Sequence, residues 1–143
     1  MSSIPIDLSQ WLALRLHLEP PHLEPNQRGK LVVEVDIPED CHIESHQPPE
    51  PFLTPTELSL DPIEGVVIGP VQYPQAEEKR FDWSPVVLLV YRGTIRLEAP
   101  IEVAAEAVAG PRQIRGQLRY QGCTPFTCLM PSSQPVEAAL EIG

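Results

Sequence analysis

Apolar and polar residues alternate along much of this chain, the pattern of strands with one face buried. LALRLHL, residues 12–18, places leucine at every second position with Ala13, Arg15 and His17 between. EPPHLEPNQRG, residues 19–29, breaks that strand with three prolines and ends on a turn glycine, after which KLVVEVDI, residues 30–37, alternates again. Helix is excluded across the next stretch by Pro48, Pro49, Pro51 and Pro55, because proline lacks the amide proton and clashes with the preceding turn. Within CHIESHQPPEPFLTPTELSL, residues 41–60, a short extended piece therefore meets a proline-rich segment and resumes as the strand TELSL.

The second half repeats the theme. Short apolar runs at 66–68 and 86–91 are separated by YPQAEEKRFDWSP, residues 73–85, the loop richest in charge and aromatics. RGTIRLEA turns at Arg92 and Gly93, then alternates through Ile95 and Leu97. IEVAAEAV, residues 101–108, has helix-forming alanines, yet Ile101, Val103, Ala105 and Ala107 keep period two, so the expectation is strand. RQIRGQLRY, residues 112–120, and VEAALEI, residues 136–142, close the chain as two strands joined by a cysteine-bearing loop. Eight or nine short strands with regular turn signals predict an all-β, immunoglobulin-like β-sandwich.

Composition sharpens this picture. The chain of 143 residues contains 18 prolines and 8 glycines, which suits turns better than long helices, and its length suits one domain over residues 1–143. A formal charge of −10 with only ten scattered Lys and Arg repels a phosphate backbone, which excludes nucleic acid as a partner. No apolar run reaches the roughly 18 residues needed for a transmembrane helix, and residues 1–11 lack the basic start and apolar core of a secretion signal. The expectation is a soluble chain.

Chemistry concentrates in GCTPFTCLMP, residues 122–131, where Cys123 and Cys128 flank Thr124, Pro125, Phe126 and Thr127. On a hairpin end their α-carbons can approach within the roughly 4.4 to 6.8 Å that a disulfide needs. A static clamp and a working redox pair both stand as readings of this bridge, and small structural disulfides are common. Closing about six residues stabilises by about 2 kcal/mol in the loop-entropy model, against about 4.5 for a crosslink of about 80 residues such as Cys41 to Cys123. Zinc held by Cys41, His42 and His46 with Cys123 or Cys128 is a second reading, although the spacing is loose for a zinc knuckle. His17 and His22 have no partner pattern. A Cys-His hydrolytic pair is a third, and it lacks the sharp turn or helix N-terminus that activates a thiol. Cys41 reads as a structural thiol on an inward strand face, since free cysteine is commonly buried.

YQGCTPFTCLMPSSQPVEAALEI, residues 120–142, resembles the end of the N-terminal periplasmic domain of the thiol:disulfide interchange protein DsbD, the disulfide bond corrector family. Upstream, HIESHQPPEPFLTPTELSL, VQYPQ and VYRGTIRLEAPIEV resemble the same family in the same order, so that the likeness spans residues 31–142. Cys41 stands where that pattern carries an aromatic. The resemblance implies a relay in which Cys123 and Cys128 carry electrons from a thioredoxin-like donor to oxidised partners, either a disulfide isomerase or a cytochrome c maturation thioredoxin. Cys128 would form the mixed disulfide and Cys123 would resolve it. A cap loop containing Phe81, Asp82 and Trp83 would shield the pair, with Tyr120, Phe126 and Pro131 nearby. No cofactor or metal is implied. The implied setting is periplasmic or otherwise extracytoplasmic, within a larger membrane-anchored protein. A binding or scaffold sandwich with a static disulfide is the alternative.

Overall fold

The computed structural model describes residues 11–143. It contains twelve strands and, among the described residues, no helix, so none is long and apolar enough to cross a membrane. In chain order they are β1 Ala13–Glu19, β2 His22–Leu23, β3 Arg28–Asp36, β4 His42–Glu44, β5 Glu57–Leu60 and β6 Val66–Ile68. The second half adds β7 Glu77–Lys79, β8 Leu88–Tyr91, β9 Thr94–Val103, β10 Gly110–Tyr120, β11 Gly122–Cys123 and β12 Ser132–Ile142.

Three four-stranded sheets result, ordered β1-β3-β9-β6, β2-β12-β10-β5 and β11-β4-β8-β7. The first two enclose the main core. Alternation in β3 and β9 turns Leu31, Val33, Val35, Leu97, Ala99, Ile101 and Val103 inward, where they meet Ile114, Leu118, Tyr120, Val136, Ala138, Leu140 and Ile142 from β10 and β12. Each large apolar side chain buried this way contributes about 1.5 to 3 kcal/mol. Ile43 of β4 and Tyr91 of β8 join this core, which fixes the third sheet against the sandwich.

The long strands lie where alternation predicted them, and two stretches differ. The strand expected over residues 101–108 ends at Val103. Past Val103, whose amide donates to Gln27 O, the pairing ends with Ala104 N donating to Gly65 O at 2.9 Å, and residues 104–107 close a turn through Ala107 N to Ala104 O at 3.1 Å. Conversely, the stretch 73–85, read as loop throughout, contains β7, an exposed edge strand paired in register with β8. It is entirely charged, a composition that hides a strand from a hydrophobicity pattern and also blunts a sheet edge.

Candidate functional site

One face of the third sheet builds the site. Residues opposite each other in an antiparallel pair share a face, so the pairings Cys123 with His42, Glu44 with Val90, and Lys79 with Leu88 line up one row of side chains. Ile43, Gly122 and Tyr91 belong to the other face, which is turned to the main core. A second, smaller apolar cluster covers the first face: Leu53, Phe81, Leu88, Val90 and Cys123, with Trp83, Val86 and Cys128 packed against it.

The cysteine loop is a tight hairpin. Leu129 N donates to Gly122 O at 2.8 Å and Thr124 N donates to Thr127 O at 2.8 Å. The Thr124 hydroxyl oxygen accepts from the amides of Phe126 and Thr127 at 3.1 Å each, a local turn that threonine supports through its side chain. Gly122 is required here, because a β-carbon would lie 2.6 Å from the Trp11 ring. Gln121 ties in the proline-rich loop by accepting from Thr54 N at 2.8 Å and donating to Leu129 O at 3.2 Å, which brings Leu53 over the sheet.

Both thiols are free, with their Sγ atoms 3.5 Å apart. Cys123 is fully buried and Cys128 is half-buried. Their acidities diverge. The hydrogen bond from Cys123 pulls the Cys128 thiol below its usual range, against burial and the nearby Glu44 charge. Cys123 is held far above the thiol range, first by its hydrogen bond to Cys128 and then by burial. A general acidic surrounding would have disfavoured both thiolates; the sharing of one proton makes Cys128 the stronger acid.

Glu44 is the residue that sequence reasoning missed. Its side chain is wholly buried, one carboxylate oxygen accepts from Cys123 Sγ at 3.5 Å, and the other has no partner. Burial pushes its pKa up to about 7. The signal in HIES was slight: Glu44 stands two positions after His42 and so shares its strand face.

Phe81 is buried at 5% exposure, stacks on Trp83 at 4.8 Å and meets His42 edge-on at 5.3 Å. Both aromatics expected in a cap therefore lie in the cluster that contains the cysteines, while Asp82 between them is exposed. Phe126 is 83% exposed at the tip of the cysteine loop, and Pro131 is exposed beyond it. Tyr120 belongs to the main core instead, stacked on Trp11 at 6.0 Å and donating to Gln134 Oε1 at 2.8 Å.

The zinc grouping weighed from the sequence does not assemble. His46 stacks on Tyr73 at 3.7 Å, with Nδ1 2.9 Å from Thr56 O. Glu44, Cys123 and Cys128 are the grouping of possible ligands among the described residues, one atom from each lying within 4.8 Å of the others. Cys41 is half-buried on the stretch before β4 and packs at the margin of the main core, where burial and Asp40 raise its pKa.

Residues 14–140 match the family of thiol:disulfide interchange protein DsbD, N-terminal. No curated protein matches the chain. Among solved structures, it is similar to the N-terminal periplasmic domain of ScsB from Proteus mirabilis, with a TM-score of 0.58 and 10% identity over 93% of this chain. This chain spans about half of that one, 49% of its length. It is also similar, with a TM-score of 0.57 and 16% identity, to a chain in the complex between the DsbD N-terminal and PilB N-terminal domains from Neisseria meningitidis, covering 92% of this chain and 85% of that one. The fold is thus an immunoglobulin-like β-sandwich, as the strand pattern predicted.

Proposed function

This chain belongs to the family of the N-terminal domain of thiol:disulfide interchange protein DsbD, and we propose that it relays two electrons through Cys123 and Cys128 between thioredoxin-like proteins or domains. The observation that carries this reading is the asymmetric dithiol: two sulfurs 3.5 Å apart, one fully buried and the other half-buried with lowered pKa. Exchange requires an attacking thiolate that a partner can reach and a second thiol close enough to expel that partner. Cys128 meets the first condition and Cys123 the second.

In the reducing direction, the Cys128 thiolate attacks a partner disulfide and forms a mixed disulfide, releasing one partner thiolate. Cys123 then attacks Cys128 Sγ, the bond to the partner breaks, and the partner leaves fully reduced with Cys123 and Cys128 bridged. A thioredoxin-like donor restores the dithiol by the reverse sequence. The complex of the Neisseria DsbD N-terminal domain with the PilB N-terminal domain supports a folded protein as the partner class. Disulfide isomerases and cytochrome c maturation thioredoxins are the proposed acceptors, and the proposed setting is extracytoplasmic, in a larger membrane-anchored protein. The Phe81 and Trp83 lid limits access by stray thiols until a partner displaces it.

The test is trapping. Cys123→Ser should accumulate a covalent adduct with an oxidised thioredoxin-like domain, resolved by non-reducing electrophoresis and mass spectrometry, whereas Cys128→Ser should not. Thiols that stay free and unreactive in the wild-type protein would overturn the reading.

A further inference from the structure

The relay leaves one buried ionisable group without a task. We infer that the Glu44 carboxylate is a catalytic base for the resolving step, taking the proton from Cys123 as it attacks the mixed disulfide. This rests on the relay reading and adds to it the route of the proton.

A thiol carries one proton, yet Cys123 Sγ lies 3.5 Å from two acceptors, Cys128 Sγ and Glu44 Oε1. In the resting dithiol that proton stabilises the Cys128 thiolate. Once Cys128 is bonded to a partner sulfur it is no longer an anion, and the proton of Cys123 turns to Glu44. The proton transfers to the carboxylate, the Cys123 thiolate attacks Cys128 Sγ, the Cys123–Cys128 bond forms, and the partner sulfur departs as a thiolate with both bonding electrons. The departing thiolate is protonated by water, and Glu44 returns its proton to solvent when the lid opens. Without such an acceptor, a fully buried thiol has no neighbouring group to take its proton.

The surroundings favour this assignment. Cys123 is the hydrogen-bond partner of the Glu44 side chain, and no ion pair or second hydrogen bond neutralises it among the described residues. β8 presents only Leu88 and Val90 to this face. The other titratable groups on this face are His42 on β4, Cys128 on the hairpin, and Glu77 and Lys79 on β7, with Arg92 bonded to Glu77 and close enough to act on His42. A group that ionises near pH 7 is matched to proton transfer at neutral pH.

The experiment uses 5,5′-dithiobis(2-nitrobenzoate) as the disulfide, in a Cys41→Ser background so that only the pair reacts. Cys128 attack releases one thionitrobenzoate, and resolution by Cys123 releases a second in a later phase. In wild type the second-phase rate should rise through about pH 7 as Glu44 ionises. Glu44→Gln should remove that inflection and slow the second phase roughly a hundredfold at alkaline pH, with the first phase changed by only a few-fold. Glu44→Asp should slow the second phase and keep the inflection, and His42→Gln should keep both. A second phase unchanged in Glu44→Gln, or an inflection lost with His42, overturns the inference and leaves the relay standing. A wild-type protein that never releases the second thionitrobenzoate overturns the relay itself. Should Glu44→Gln not fold, Glu44→Asp decides, since an unchanged second phase there overturns the inference.

Discussion

The two apolar clusters of this molecule are built on opposite principles. The main core lies between long strands, and its side chains follow from strict alternation over nine to eleven residues in β3, β10 and β12. The small cluster over the third sheet is assembled from two- to four-residue strands and loop residues, and it contains Cys123 and Cys128. All the buried side-chain polar atoms lacking a partner among the described residues, on His42, Glu44 and Trp83, lie around this small cluster. Unsatisfied polar groups are costly, so the chemistry is placed where stability is spent rather than gained.

That contrast can be broken at either end. Leu118→Ala in the main core should lower unfolding free energy by about 3 to 5 kcal/mol in a denaturant melt, without altering thiol exchange in the folded fraction. In the small cluster the sign reverses for Glu44→Gln. A carboxylate whose folded pKa is raised binds more protons folded than unfolded. Wild-type stability should therefore fall between the unfolded value of 4.5 and about 7, and level off above it. The substitution should abolish that slope and stabilise the protein at pH 8 by roughly 3 kcal/mol at most, read from chemical melts across pH.

Two further tests separate lid from docking surface. Phe81→Ala removes about 1.5 to 3 kcal/mol of burial from the lid, so dithiothreitol should reduce the oxidised Cys123–Cys128 bridge at least about tenfold faster. An unchanged rate in a folded variant would show that the aromatic anchors the loop and does not gate the thiols. Phe126→Ala should have the smallest effect on the fold, within about 0.5 kcal/mol, because its side chain is 83% exposed. It should slow exchange with a protein partner while leaving dithiothreitol reduction unchanged.

The same contrast explains what the sequence disclosed. Period two over residues 12–18, 30–37 and 112–120 marks β1, β3 and β10 because each has one face in the main core. The cysteine hairpin was legible from residue chemistry, and the stretch 73–85 stood out for its charge and aromatics, while its reading as a cap came from the family resemblance. Glu44 was not, since three residues of β4 are too few for a period and Ile43 beside it is buried too, on the opposite face. Nor was β7, whose Glu-Glu-Lys sequence carries no apolar face. Alternation also overran β9, because it cannot tell where backbone partners stop.

Sequence distance within the site has a consequence for biosynthesis. Glu44 and Cys123 are 79 residues apart, and Leu12 exchanges hydrogen bonds with Gln134, 122 residues away. β12 sits inside its sheet, between β2 and β10, so a growing chain lacks one wall of the sandwich until β12 has emerged. Such non-local pairing closes late. During vectorial synthesis Phe81, Trp83 and β4 are made long before Cys123 and Cys128, beside which they pack. Cys123 and Cys128 are thus joined by the side chains that cover them only when nearly all of this sandwich has been made, a timing that ties the environment of the two thiols to completion of the fold.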